Sequence, residues 1–317
     1  MSAVKPRVLQ LGRLLPTLEA RLAADYEVTL LAQQPDPRAF LAAHGREFAA
    51  AVTSAPVGID AATLQALPAL RVVSSFGVGL DRIDLTAAAR RGVPVGYTPN
   101  VLNDCVADIA FTLLLDVARR AAEADRFVRR GDWLKEKFPL ATRVSGKRLG
   151  LVGMGRIGRT IARRASGFDM EIRYHDRNVI ADVPYGHEPG LLALARWADF
   201  LVVAAAGGPG SQGLISAEVL DALGPKGFLV NIARGSLVDE PALVQALQER
   251  RIAGAGLDVF ADEPRVPDVL LSLDNVVLTP HVASGTIETR QAMADLVLEN
   301  LRSFFERGEL RVSAPLQ

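Results

Sequence analysis

The chain has 317 residues, of which 49% are apolar and 23% are charged, and 36 basic residues balance 36 acidic ones. This length and apolar content predict two full-sized domains and exclude long disorder, and the charge balance disfavours nucleic acid or an anionic membrane as a partner. The single cysteine, Cys105, excludes an intramolecular disulfide and a multi-cysteine metal site. No stretch approaches the ~18 apolar residues of a membrane span, and the N-terminus lacks a secretory apolar segment, so we expect a soluble cytoplasmic protein without a bound metal.

The first part of the chain alternates short apolar strands with helices. Strands are predicted at 7–11, 26–31, 48–52, 72–75 and 93–95, and helices at 14–22, 35–44, 61–67 and 84–90. This alternation is typical of a parallel sheet that is covered on both faces. A long amphipathic helix at 286–307 can cross back to this sheet. We therefore predict one α/β domain built from residues 1–98 and 285–317.

The middle of the chain, 99–284, is predicted to be a second α/β domain. It opens with an apolar-periodic stretch at 101–130 that contains one long helix or two in series, followed by a loop at 131–145. Strands are then predicted at 149–152, 171–174, 200–204, 228–232, 255–259 and 276–278, and helices at 160–166, 191–197, 216–223 (capped by Ser216) and 241–250. Six strands are the number that a full doubly wound dinucleotide-binding sheet requires.

The first strand of this second domain runs directly into the glycine-rich turn GMGRIG at 153–158. In such a turn Gly153 permits the sharp bend, Gly155 lets a pyrophosphate approach the backbone, and Gly158 lets helix and strand pack closely. A second strand ends at Asp176, whose carboxylate can accept hydrogen bonds from an adenosine ribose. A purely structural turn is the alternative, but the strand, the helix and the acid together favour a dinucleotide. The residues expected to bind it are Gly153, Gly155, Arg156, Ile157, Gly158, Asp176 and Arg177.

Three chemically useful side chains follow three predicted strands of the same domain. Arg234, Glu263 and His281 each lie just beyond a strand, where ligands bind in open α/β sheets. An arginine fork can bind a carboxylate and polarise a neighbouring ketone, and a histidine oriented by a carboxylate can exchange a proton with that ketone oxygen. Alone, each would more often be a surface or loop residue. Together, behind a dinucleotide fingerprint, they predict the reduction of a 2-oxo acid to a 2-hydroxy acid by NAD(P)H.

The chain resembles the D-isomer-specific 2-hydroxyacid dehydrogenases. The similarity rests on GMGRIG at 153–158, NIARGSLVDE at 231–240, GAGLDVFADEP at 254–264, NVVLTPH at 275–281 and SFGVGLDRID at 75–84. AAAGGPGSQGLIS at 204–216 and EPRVP at 263–267 resemble the glyoxylate/hydroxypyruvate reductase branch, which includes hydroxyphenylpyruvate reductases. The resemblance implies two doubly wound parallel-sheet domains, with a Rossmann NAD(P)-binding domain inserted into a flavodoxin-like substrate domain, and a homodimer formed through the cofactor domains.

The resemblance also implies a role for each matched residue. Arg234 would bind the substrate carboxylate and carbonyl, His281 would be the acid/base, and Glu263 would be its partner. The backbone amides of Val78 and Gly79 would hold the substrate carboxylate, and Asp258 would contact the nicotinamide carboxamide. Glyoxylate and hydroxypyruvate are the expected substrates, and hydroxyphenylpyruvate and 2-ketogluconate are alternatives.

Asp176 and Arg177 give conflicting indications of whether the cofactor is NADH or NADPH. Asp176 should accept from the ribose 2′-hydroxyl and repel a 2′-phosphate, which favours NADH. Arg177, the next residue, can pair with a 2′-phosphate, which favours NADPH, and reductases of this branch often have a neutral residue where Asp176 stands. NADH is therefore slightly favoured, and NADPH stays open.

Two other functional classes are considered. A non-catalytic, NAD(H)-responsive binding protein of corepressor type would keep the same Arg, Glu and His, but the chain lacks long disordered interaction tails. Phosphoglycerate or phosphite oxidation is the other alternative, and phosphoglycerate oxidation is disfavoured because the chain ends at Gln317, without room for an added regulatory domain. The loops 53–58 and 74–79 also contain no basic cluster to bind a substrate phosphate.

Overall fold

The computed structural model describes residues 5–315 and separates into two compact units. One unit runs as far as Leu102 and resumes at Thr286, and the other is Asn103–Gly285. The sequence placed these two boundaries at 98/99 and 284/285. Each unit is an α/β domain with its own sheet and its own apolar core.

The first unit opens with strands and helices in regular alternation. Its strands are β1 (Arg7–Gln10), β2 (Glu27–Leu30), β3 (Ala50–Ser54), β4 (Val72–Phe76) and β5 (Val95–Gly96), and the helices between them are α1 (Pro16–Asp25), α2 (Pro37–His44), α3 (Ala61–Gln65) and α4 (Leu85–Arg90). Side chains cap the N-termini of several of these helices. Asp36, for example, accepts hydrogen bonds from two amides of the first turn of α2, and Pro37 occupies its first position.

The strands of this unit form a parallel sheet in the order β2-β1-β3-β4-β5 among the described residues. This is the flavodoxin-like strand order, and it confirms the fold that the resemblance implied for this domain. All five positions of β4 are buried, as expected for a strand with a helix layer on both faces.

The second unit begins with two helices in series, α5 (Asn103–Arg119) and α6 (Ala121–Arg129). The sequence left one helix or two open, and Arg120 decides it because its backbone is left-handed, with φ +54°. The carboxylate of Asp116 then accepts a hydrogen bond from the amide of Ala122 at 2.8 Å, which satisfies a free donor at the start of α6.

The remaining elements of the second unit also alternate. The strands are β6 (Arg148–Val152), β7 (Glu171–His175), β8 (Gly186–His187), β9 (Phe200–Val203), β10 (Phe228–Asn231), β11 (Gly254–Leu257) and β12 (Val276–Leu278). The helices are α7 (Arg156–Ser166), α8 (Leu191–Trp197), α9 (Ala217–Leu223), α10 (Glu240–Gln248) and α11 (Asp268–Ser272). The last helix of the chain, α12 (Ile287–Arg307), belongs to the first unit, where the Ser74 hydroxyl donates to its Val297 carbonyl at 3.2 Å.

The strands of the second unit, as far as the structure describes them, form one parallel sheet in the order β12-β11-β10-β9-β6-β7-β8. Numbered within the unit this is 3-2-1-4-5-6 with a seventh strand added, the Rossmann arrangement. The prediction of six strands was wrong by one, because β8 was taken as part of a loop. Ser216 occupies the N-cap of α9, but its hydroxyl donates to Glu218 at 2.6 Å and does not cap the helix as predicted.

Candidate functional site

The turn between β6 and α7 has the shape that a bound pyrophosphate requires. Gly153 has φ +98°, and a Cβ added to it would lie 2.7 Å from the backbone of Ala205. A Cβ on Gly158 would collide with the carbonyl oxygen of Gly153, so these two glycines keep strand, turn and helix in contact. A Cβ on Gly155 would meet no described atom within 4 Å. Only the middle glycine therefore leaves open space beside the backbone.

The open space lies at the N-terminus of α7, where first-turn amides such as that of Ile157 have no acceptor inside the helix. Asp176, at the end of β7, accepts a hydrogen bond through Oδ2 from the Met154 amide at 2.9 Å. Arg177 is exposed and forms no ion pair among the described residues. An uncrowded glycine, a helix N-terminus and an acid fixed beside the turn fit a nicotinamide dinucleotide.

Arg234 is placed by the loop that follows β10. The buried side chain of Asn231 accepts from the Ala233 amide at 3.1 Å and donates to the Arg234 carbonyl at 2.9 Å. These two bonds fold the backbone tightly at the strand end. The guanidinium of Arg234 is half-buried and donates through Nη1 to the Ala233 carbonyl at 2.7 Å.

The loops after β10 and β11 pack directly against each other. A Cβ on Gly235 would collide with the backbone of Phe260, so glycine alone permits this approach. The Glu240 carboxylate, at the start of α10, accepts from the Ala261 amide at 3.0 Å, which joins that helix to the loop after β11. This packing brings the backbone next to Arg234 against the loop that carries Glu263.

Glu263 and His281 form a hydrogen-bonded pair. The His281 Nδ1 lies 2.7 Å from Oε2 of Glu263, and Oε1 accepts from the Phe260 amide at 3.1 Å. Burial pushes the pKa of Glu263 up, but the hydrogen bonds from His281 and Phe260 and the positive charges of His281 and Arg234 outweigh it, so the pKa is below its usual value. Glu263 is therefore an ionised acceptor at neutral pH. Because it holds Nδ1, the other ring nitrogen, Nε2, is left to exchange a proton.

Asp258 holds the loop that carries His281. Its carboxylate is fully buried and accepts from the Thr279 hydroxyl at 2.6 Å and from the Val282 and Ala283 amides at 2.9 Å each. The His281 amide donates to the Asp258 carbonyl at 2.9 Å, and His281 itself is left-handed, with φ +50°. The contact between Asp258 and the nicotinamide stays a prediction. The structure shows that Asp258 fixes the backbone on both sides of His281.

Val78 and Gly79, in the first unit, lie in the loop that follows β4. Neither amide donates a hydrogen bond to any described residue, although both residues are half-buried. Unpaired amides at a strand end are suited to an anion. They fit the carboxylate-binding role that the resemblance implied.

The structure thus brings Arg234, Glu263 and His281 together in the second unit, and it adds residues that the sequence did not single out. Asn231 and Thr279 shape the loops, and Met154 fixes Asp176. A polar residue ending a buried strand was a usable signal for Asn231. Within residues 5–315 there is no cluster of three or more His, Cys, Asp or Glu side chains that could hold a metal. None of the helices in that range is both long enough and apolar enough to cross a membrane.

A nicotinamide-binding α/β domain with an Arg–Glu–His constellation defines a class of dehydrogenases, and comparison with known proteins agrees. Residues 111–283 match the model of the D-isomer specific 2-hydroxyacid dehydrogenase NAD-binding domain. The chain is 49% identical over 288 residues to hydroxyphenylpyruvate reductase of Plectranthus scutellarioides, covering 91% of this chain and 92% of that protein. It is 45% identical to glyoxylate/hydroxypyruvate reductase A of Arabidopsis thaliana, with 92% and 94% covered.

Among solved structures, an NADPH-dependent glyoxylate/hydroxypyruvate reductase from Sinorhizobium meliloti, in complex with NADP and malonate, is similar throughout. The TM-score is 0.91 at 41% identity, and 98% of this chain and 97% of that chain are covered. The chain belongs to the D-isomer-specific 2-hydroxyacid dehydrogenase family. It is an oxidoreductase that uses a nicotinamide cofactor, as the sequence predicted.

Proposed function

We propose that the protein reduces a small 2-oxo acid, glyoxylate or hydroxypyruvate, to the corresponding D-2-hydroxy acid. The balanced reaction is 2-oxo acid + NAD(P)H + H⁺ → 2-hydroxy acid + NAD(P)⁺. The observation that carries the proposal is the 2.7 Å hydrogen bond between His281 and ionised Glu263, with the charge of Arg234 acting on the same carboxylate. His281 can donate a proton and Arg234 can bind a carboxylate, and both follow strand ends, where ligands of such sheets bind.

The residues of the chain take distinct parts in this reaction. The Arg234 guanidinium binds the substrate carboxylate and polarises the ketone, and the amides of Val78 and Gly79 donate to the same carboxylate. His281 gives the ketone oxygen a proton from Nε2 as the carbonyl carbon is reduced, and Glu263 keeps the ring in that orientation. Gly153, Gly155, Gly158 and the first-turn amides of Arg156 and Ile157 would hold the cofactor pyrophosphate, and Asp258 would contact the nicotinamide carboxamide. The nicotinamide, when bound, supplies the hydride.

Loss of absorbance at 340 nm with a panel of 2-oxo acids tests the function. Glyoxylate or hydroxypyruvate should give the highest kcat/KM, because the loops at 53–58 and 74–79 carry uncharged and mostly small side chains, suited to a compact substrate. Pyruvate, phenylpyruvate, hydroxyphenylpyruvate and 2-ketogluconate complete the panel. A preference for phenylpyruvate, hydroxyphenylpyruvate or 2-ketogluconate would reassign the substrate. No turnover with any of them would favour a binding protein and overturn the proposal.

We further propose that NADH is used with the higher kcat/KM and that NADPH is also accepted. Asp176 supports this preference, because one carboxylate oxygen holds the Met154 amide and the other is left for a ribose hydroxyl. A 2′-phosphate would face the same negative charge. Exposed Arg177 is the cation that lets NADPH bind at all.

Substituting Asp176→Asn should shift the preference towards NADPH. Asparagine keeps an acceptor for the Met154 amide but removes the charge, so the ratio of kcat/KM for NADPH to that for NADH should rise about tenfold. The measurement is steady-state kinetics with each cofactor at saturating oxo acid. As a control, Asp182→Asn changes an exposed acid that is paired with Arg159 and should move the ratio much less. An unchanged ratio in Asp176→Asn would remove Asp176 from cofactor selection.

We propose that the protein is a homodimer formed through the second unit. Four apolar side chains near the end of α6 and in the following loop stand largely in solvent: Val128 at 54%, Trp133 at 70%, Leu134 at 93% and Leu140 at 100% exposure. A second copy of the chain is the occupant that the family resemblance favours for this patch. Light scattering after gel filtration should give a dimer for the wild type and a monomer for Leu134→Asp/Leu140→Asp. A monomeric wild type would refute the dimer.

A cytoplasmic location without nucleic-acid or membrane partners completes the proposal. Cys105 is buried and is the single cysteine of the chain, and such sparse use of cysteine is typical of a reducing compartment. Equal numbers of acidic and basic residues give no overall attraction to nucleic acid. Cell fractionation checks the location, and recovery in a membrane or secreted fraction would contradict it.

A further inference from the structure

The loop that carries Val78 and Gly79 is anchored firmly at its far end. The Ile59 amide donates to the Arg82 carbonyl at 3.0 Å, and the Asp84 amide donates to the Ile59 carbonyl at 2.9 Å. The Arg82 guanidinium also donates to the Pro56 carbonyl at 2.9 Å. Backbone from the neighbouring loop therefore fixes the positions of residues 82–84.

At the near end of the loop the Ala55 amide donates to the Phe76 carbonyl at 3.2 Å, and Gly77 is held by Thr98, which follows β5. The Gly77 amide donates to Oγ1 of Thr98 at 3.1 Å, and the Thr98 amide donates to the Gly77 carbonyl at 3.0 Å. Thr98 is fully buried, so water does not compete for either bond. Gly77 has φ +151°, and a Cβ on it would lie 2.6 Å from the Cβ of Ala55. The bend therefore requires glycine, whose backbone does not itself prefer this conformation.

The two bonds fix the planes of the two peptides that meet at Gly77. Oγ1 of Thr98 holds the Phe76–Gly77 peptide through its N–H, and the Thr98 amide holds the Gly77–Val78 peptide through its C=O. In a trans peptide the N–H points opposite to the C=O. The Val78 N–H is therefore directed away from Thr98 and has no acceptor among residues 5–315.

We propose that Thr98 is a positioning residue for substrate binding, which aims the Val78 and Gly79 amides at the substrate carboxylate. This inference rests on the proposed function of that loop. Thr98 itself does not touch the substrate. Its hydroxyl is the acceptor for the Gly77 amide, so removing the hydroxyl leaves a buried N–H without an acceptor and weakens the hold on the Gly77 bend.

The test compares Thr98→Val, Thr98→Ser and a control, Ser303→Ala. Valine keeps the shape of threonine and removes the acceptor, and serine keeps the acceptor. Ser303 is a buried hydroxyl in the same unit that donates to the Glu309 carbonyl at 2.6 Å and has no bond to the loop. Thr98→Val should raise KM for the oxo acid about tenfold, with kcat within about twofold and the NADH dissociation constant unchanged, as expected for lost substrate binding. Thr98→Ser should restore KM, and Ser303→Ala should leave it unchanged.

Hydrogen exchange of the peptide spanning 76–82 gives a second readout that needs no turnover. Exchange at the Gly77 amide, which loses its acceptor, should be faster in Thr98→Val than in the wild type, Thr98→Ser or Ser303→Ala. Unchanged exchange, or faster exchange with an unchanged KM, would overturn the inference. Absence of turnover in the wild type would instead refute the proposed function, and exchange would still decide whether Thr98 holds the loop.

Discussion

Replacing His281 with asparagine is expected to lower kcat for oxo-acid reduction by about 10²–10⁴-fold, the usual contribution of a positioned acid. KM should change little, because the substrate carboxylate is bound by other groups. Asparagine is the suitable replacement because it tolerates the left-handed backbone that His281 adopts at φ +50°. The measurement is steady-state kinetics at saturating cofactor, with the melting temperature recorded to show that the loop still folds.

The chain offers a matched control for this variant. His44 and Glu47 form a second His–Glu hydrogen bond, 2.8 Å long and partly exposed, at the end of α2 in the first unit. His44→Gln breaks a pair of the same type and should leave kcat unchanged. If His281→Asn reduced activity no more than His44→Gln does, His281 would have no part in proton transfer.

Replacing Arg234 with alanine is expected to raise KM for the oxo acid by about 30-fold or more. Loss of a charge-assisted partner of the bound substrate carboxylate costs about 2 kcal/mol or more, and each 1.4 kcal/mol is about tenfold. The kcat should also fall, because the same guanidinium polarises the ketone. Arg234→Lys should recover only part of the loss, since lysine keeps the charge but not the planar fork.

Arg265→Ala is the control for this change. Arg265 lies close in sequence to Glu263, but it is exposed and paired with Asp262, and such surface pairs contribute little. Its kinetics should match the wild type. If KM for the oxo acid were the same in Arg234→Ala and Arg265→Ala, the substrate carboxylate would have to bind elsewhere.

The sequence was sufficient where a local pattern maps onto one structure. The run from β6 through GMGRIG to Asp176 predicts one backbone structure, because its glycines and its acid are needed at fixed positions of a strand–turn–helix–strand unit. The end of α7 was also predicted correctly, whereas its start, at Arg156, was placed four residues late. Its first turn contains Gly158 and two arginines and carries no apolar period.

The remaining differences arise from long-range contacts. Strand β8 is two residues long, and only its pairing with β7 identifies it. Asp258 could be recognised as functional, but the three donors that surround it come from residues 279–283, which no local pattern connects to it. Thr98 and Gly77 are likewise joined only when β4 and β5 pair in register.

The most direct test of proton transfer by His281 is the single-turnover rate of oxo-acid reduction in H₂O and in D₂O. The enzyme is loaded with NADH, mixed with saturating hydroxypyruvate and followed at 340 nm, with glycerol-matched viscosity as the control. We predict slower reduction in D₂O for the wild type, because the proton from Nε2 moves as the carbonyl carbon is reduced. Equal rates in the two solvents would place proton transfer outside that step and contradict the assigned role of His281.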